Sequence, residues 1–382
     1  MLLIAPTSHA QAADPTDRHA RAIQAISALG GQVESGLGSD GQPLLIVRSK
    51  GGDDVLTHLP DLEGLHCLDL RGARVSDAGL VHLKGLKTVE SIYLGQTRVG
   101  DAGLASLGQI TGLQGLWLYD TRITDAGLAH LGRLTNLKWL NLSYTQVGDE
   151  GLAHLAGLRK LEGLWLQNTR VNDAGLIHLA GLTELNSLKL SWTGVTDDGL
   201  AHLKGLRKLR ALWLADTDVG DAGLAHLAEL DKLEWLLLAN TRVSDHGLRH
   251  VSRLTNLQTL DLTNTKGTDQ GLQHLSQLDS LEWLSLEGAD IRGPGLSALV
   301  DLARLDYLRL GRTAISDETL AEVARLPNLA GLDLTETAIG DAGLAHLESL
   351  ATLRELHLRR TKATPAGIER LQRARPELII SR

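Results

Sequence analysis

Three kinds of side chain with binding or catalytic chemistry recur in this chain at a spacing close to 24 residues. Histidines stand at His82, His130, His154, His178, His202, His226, His250, His274 and His346, with His58 in a comparable place. A column of imidazoles can chelate a metal or titrate near pH 6. Chelation needs adjacent rings to converge and a carboxylate to complete the set, and none alternates with them. The column reads as a half-buried structural position. Aspartates such as Asp77, Asp125 and Asp341 repeat just after Ser, Thr, Asn or Gly. Carboxylates in a ladder can hold calcium, but this pattern is a helix-start signal, in which the side chain caps orphan N–H groups. No metal and no cofactor is expected.

The third kind is aromatic. The chain has 382 residues, with seven Trp, four Tyr and no Phe. Counted in 24-residue units from Leu65, all eleven rings fall at unit positions 3, 5, 7 or 8. They are Tyr93, Trp117, Tyr119, Trp139, Tyr144, Trp165, Trp192, Trp213, Trp235, Trp283 and Tyr307. Where position 5 holds the ring, position 3 is small: Ser91, Gly115, Gly163 and Ala211. Consecutive units from Tyr93 to Trp235 each carry a large ring. At a strand spacing of about 4.8 Å the six steps between them make a stripe of roughly 29 Å. Rings pack partly on one another across a sheet, yet a contiguous exposed apolar patch usually marks a binding site. Trp and Tyr are also the residues that dominate interface energies. Lys189 sits within the stripe. The partner-binding set is therefore these eleven rings and Lys189.

The elements that position them follow from the repeat. The cuts fall at Leu65, Val89, Leu113 and every 24 residues on to Leu353, without an insertion. Aliphatics occupy unit positions 1, 4 and 6, then mostly 11, 16, 19 and 22, as in Leu113–Asn136. Positions 4 and 6 alternate like a strand; 16, 19 and 22 share one face of a helical segment. Each unit makes a short strand, turns and returns by a helix. One unit cannot bury its own apolar face, so neighbours must stack. Thr recurs at position 9, from Thr97 to Thr361, where its hydroxyl can satisfy backbone groups at the strand exit.

The pattern L-x-x-L-x-L-x-x-T-x-V-T-D-A-G-L-x-H-L resembles the leucine-rich repeat, in a 24-residue bacterial variant. The resemblance covers Leu65–Arg382 and implies an α/β fold: a right-handed, curved solenoid with a parallel sheet on the concave side and helices on the convex side. Thr stands here where the family usually has Asn at position 9.

The expected organisation is as follows. Residues 1–13 read as the remnant of an export signal, on the Ala10-Gln11-Ala12 site, or as a disordered start. Residues 14–40 form a capping helix and turn, and 41–64 a degenerate first repeat. Residues 65–352 hold twelve repeats, and 353–382 the last repeat and a C-terminal cap. The unit Leu281–Arg304 carries Ala289, Gly293 and Pro294 against the pattern and predicts a local change in its helical segment.

Several functions are excluded. A net charge of -8 without clustered Lys and Arg argues against nucleic acid. No run of about eighteen apolar residues spans a bilayer. The single cysteine, Cys67, cannot form an intrachain disulfide and reads as a small filler. Gly36–Gly41 matches G-x-G-x-x-G but precedes a strand instead of opening a helix. No compact acid–base or nucleophile set is present, so no catalytic residue is assigned. The reading is a non-catalytic recognition protein, periplasmic or secreted, or alternatively cytoplasmic. It binds a protein or peptide on the aromatic face; the alternative ligand is a glycan stacked on the Trp stripe.

Overall fold

The computed structural model describes residues 15–37 and 43–382. The expected export remnant, the end of the expected 14–40 segment and most of the G-x-G-x-x-G segment lie outside the described residues.

The chain forms two compact units, the first ending at Leu137 and the second beginning at Lys138. The first opens with the helix Pro15–Ala28, which buries Ala22 and Ile26, four residues apart on one face. Gly30 at φ 78° ends it. A hairpin follows in which Gln32–Leu37 pairs antiparallel with Pro43–Arg48. Its first strand carries no apolar alternation and lies mostly exposed, so periodicity gave no sign of it. Parallel strands Leu65–Asp69, Ser91–Tyr93 and Gly115–Trp117 complete this unit.

The second unit contains eleven strands in chain order, from Trp139–Asn141 to Ile379–Ser381, and each adjacent pair is parallel. Each strand is three residues long, and the helical segments between them run three to ten residues. The repeat dictates both. Leu164 and Leu166, at positions 4 and 6, are fully buried, which leaves the intervening Trp165 on the open face. Stacked leucines at equivalent positions make the core, each contributing about 1.5–3 kcal/mol on burial. The coil that breaks the pattern keeps its length but has only a 3-10 segment, Pro294–Leu299, preceded by Gly293 at φ 122°.

Three recurring residues close the coil. The position-9 threonines donate their hydroxyl to the leucine carbonyl three residues back, as Thr121 does to Leu118 at 2.6 Å and Thr241 to Leu238 at 2.6 Å. Position 8 has positive φ in every unit, from Gly72 at 66° to Arg360 at 56°. The position-13 aspartates do something other than cap their own helix. Asp101 accepts the Thr124 backbone N–H at 2.8 Å and the Thr124 hydroxyl at 2.6 Å, and Thr124 begins the next coil's helix. Asp173 holds Thr196 and Asp221 holds Ser244 in the same way. Sequence proximity pointed to a local cap; the true acceptor–donor pair is 23 residues apart. The glycine at position 15 is required because the preceding coil's aspartate lies where its Cβ would be, as Asp101 does against Gly127.

Candidate functional site

In the second unit the open face of the sheet is set by strand alternation. Its first five strands place Trp139, Gly163, Ser187, Ala211 and Trp235 at position 3. Position 5 holds Asn141, Trp165, Lys189, Trp213 and Leu237. Trp139 and Trp165 are 6.4 Å apart at 36°. Trp139 lies over Gly163, in space that any side chain there would fill, and Tyr307 lies over Gly331 in the same way. The small residues are thus the floor on which neighbouring rings rest. Trp165 donates its indole N–H to the Ser187 hydroxyl at 3.2 Å.

Lys189 stands between two indoles. Its Nζ is 5.3 Å from the Trp165 ring centre and 4.5 Å from that of Trp213. Desolvation there holds its ammonium below the ordinary lysine value. Further along the same unit Trp283 and Tyr307 face each other in register. There the cations are paired: Arg309 with Glu287 and Asp333, and Arg312 with Glu287 at 3.1 Å.

The first unit has a separate group. Tyr93 and Trp117 stack at 4.1 Å and 11°. The Arg71 guanidinium lies 5.2 Å from the Tyr93 ring centre and pairs with Asp69 at 2.6 Å. Hydrogen bonding from Arg71 holds the Asp69 carboxyl below its usual range. Tyr119 lies over Gly95. Burial pushes the Tyr93 phenol up, and it pushes the Cys67 thiol up as well.

Two rings sit at the left-handed position 8. Tyr144 has φ 60° and Trp192 φ 55°; they are 48% and 50% exposed. Asn168 separates them, and the three line a notch of about 290 Å³. The position-8 amides further on are linked, Asn264 donating to Asn240 at 2.7 Å and Asn240 to Asp216 at 3.0 Å.

All eleven rings lie outside the leucine core. Three features escaped the sequence reading. The Arg71–Tyr93 contact was readable, since Arg71 occupies position 7 of an adjacent unit. The left-handed strain at position 8 also had a sign, in the Gly, Asn and Asp that recur there. The third is a polar cavity of about 600 Å³ in the second unit, lined by Glu162, Glu184, Asn186, Lys208, Arg210, Lys232, Glu234 and Asn256. Four of its six charges pair across it, Lys208 with Glu184 at 2.6 Å and Arg210 with Glu234 at 2.9 Å. The histidine column is half-buried, as expected, at His58, His178, His202, His250 and His274, whereas His82, His130, His154, His226 and His346 are open to solvent. Among the described residues no group of three His, Cys, Asp or Glu is placed to hold a metal.

Comparison with known proteins fits this geometry. A family model described as "Leucine Rich repeat" matches residues 133–156 and 182–203. No curated protein sequence matches the chain. An internalin (inlF) from Listeria monocytogenes is similar in structure, with a TM-score of 0.69 and 24% identity over 98% of each chain. A leucine-rich repeat protein of Leptospira interrogans gives a TM-score of 0.54 at 19% identity, over 85% of this chain and 80% of that one. Both likenesses are likenesses of fold.

Proposed function

We propose that this chain, whose fold is a leucine-rich repeat solenoid like that of an internalin, is a non-catalytic recognition protein, binding a protein or peptide partner on the open, aromatic-lined face of its sheet. One observation carries the reading. Across the first five strands of the second unit, the open-face positions 3, 5 and 7 hold Trp139, Trp165, Trp213 and Trp235, and a single charge, Lys189. Surface of that kind is poorly matched to water and well matched to a partner, because large rings gain most when the last water leaves them. Solenoids present such extended faces on a rigid frame. The acid–base groups that do meet on this face, His357 with Glu355 at 3.1 Å and with the Ser381 hydroxyl at 2.5 Å, are given no catalytic role in this proposal. Export to the periplasm or beyond is part of the proposal and rests on Ala10-Gln11-Ala12. No helix of the described residues is long and apolar enough to cross a membrane.

The test is a pull-down from the native host envelope with the parent chain and with a Trp165→Ala/Trp213→Ala double variant. Bands retained by the parent and lost by the variant, with both proteins unfolding at the same temperature, are expected. Equal retention would sink the reading.

A second ligand class is supported by a different feature. Tyr144 and Trp192 flank an amide, Asn168, whose side chain makes no hydrogen bond to another described residue. Two ring faces beside a free amide suit a sugar ring, which offers C–H faces and hydroxyls. A glycan array read by Trp fluorescence separates the two readings: quenching by an oligosaccharide, abolished in Trp192→Ala, favours the glycan.

A further inference from the structure

Lys189, on the third strand of the second unit, differs from the other cations of that unit's open face in being half-buried without an anion. Arg309, Arg312 and Arg360 on that face each have a carboxylate partner, and Arg359, which has no ion pair among the described residues, is exposed to solvent. Lys189 makes no ion pair among the described residues, and the nearest acidic position-5 residue, Asp261, is three strands away. Three strand steps are about 14 Å, well beyond ion-pair range. The two indoles hold the ammonium by their ring faces, an interaction that leaves its N–H donors free to accept a further partner. A half-buried cation without an anion is costly, and a leucine or glutamine in its place would fill the same space between the rings.

We propose that Lys189 is the specificity residue of this face and that it takes the side-chain carboxylate of an Asp or Glu within a peptide segment, apolar side chains on either side of that residue lying against Trp165 and Trp213. The inference rests on the peptide-binding reading of the face. Charge complementarity selects the anion. The surroundings select an internal carboxylate over a chain-terminal one: Trp139 and Asn141 continue the face on one side, and Trp235 and Leu237 on the other. A ligand ending at Lys189 would leave half of that surface bare. Removal of the ammonium from water, which already lowers its proton affinity, also makes a carboxylate bound there interact more strongly than at the open surface.

A random dodecapeptide display library is panned against the full chain, against Lys189→Met and Lys189→Arg, and against Trp165→Ala/Trp213→Ala. The expected parent pool is enriched at one internal position in Asp or Glu between aromatic or aliphatic residues. Lys189→Met should lose that acidic enrichment at least tenfold and still select apolar peptides; Lys189→Arg should keep it. Acidic enrichment that is equal in the parent and Lys189→Met pools, or absent from the parent pool while apolar peptides are selected, overturns the role of Lys189 and leaves peptide binding standing. Selection no stronger than in the double Trp variant overturns both. One enriched peptide, synthesised with Glu→Gln or Asp→Asn and with free or amidated C-terminus, locates the anion. Loss of binding on the side-chain change alone supports the inference, and loss on C-terminal amidation alone overturns it.

Discussion

Asp101 holds Thr124 with both carboxylate oxygens, one on the backbone N–H at 2.8 Å and one on the hydroxyl at 2.6 Å. The helix start of one coil is thereby fixed by the coil before it. Replacing Asp101 with Ala removes both bonds and leaves the Thr124 N–H without its acceptor. A loss of roughly 1–3 kcal/mol is expected, read as a lower denaturation midpoint in urea. Gly127→Ala should cost a comparable amount, because its methyl would enter the space of the Asp101 carboxylate. The two losses should not add in the double variant, since both break one contact.

The same linkage makes stability depend on acid. Hydrogen bonds from Thr364 hold the Asp341 carboxyl below its ordinary value of 3.8. A folded-state value lower than the unfolded one means that the unfolded chain binds more protons. The stabilisation is therefore complete above about pH 4 and disappears as pH falls through the lowered folded value. Thr364→Val should be less stable than the parent at pH 6, and the difference should shrink below pH 4. Urea titrations at the two pH values measure it, and a gap that stays constant contradicts the linkage.

Lys189 follows the same sign at higher pH, but there a penalty is relieved as pH rises, where for Asp341 a stabilisation is lost as pH falls. Its folded value lies below the ordinary 10.5 because of desolvation. Between those two values the unfolded chain carries more protons, so stability rises with pH. The stability of the parent relative to Lys189→Met should increase when urea midpoints at pH 7 and pH 10 are compared. A difference that does not move would place Lys189 in water.

Gly163 is the floor under Trp139. Gly163→Ala should lift that ring toward solvent, with a red-shifted indole emission and a loss of about 1–3 kcal/mol from overpacking. Unchanged emission would show that the ring does not rest there.

Trp192 has left-handed backbone, φ 55°, at a position where Asn168, Asn240 and Asn264 stand in other coils. A bulky side chain there costs roughly 1 kcal/mol. Trp192→Asn should raise the thermal midpoint and weaken whatever ligand this ring contacts. Stability and binding would then move in opposite directions, as they do where strain is kept for function.

The stacked architecture was legible because the repeat states it thirteen times over, and Leu164, Trp165 and Leu166 show how alternation alone sends a ring outward. What periodicity could not supply was anything joining residues far apart in sequence. The Asp101–Thr124 link looked like a local cap because nothing in a single unit reveals that its donor belongs to the next. The hairpin strand Gln32–Leu37 lacks apolar alternation altogether. The sandwich of Lys189 was half visible: its place on the face could be counted, whereas the approach of both indoles depends on rotamers.

The carboxylate-to-amide link has a direction, and the ribosome reads the chain in the same direction. Each finished turn offers its acceptor before the donor that needs it has been synthesised. The nascent polypeptide can therefore add turns one after another onto a completed template. A chain shortened from its far end leaves the last acid group hydrated at the break, whereas one shortened from its beginning starts on a helix with no acceptor for its first amide.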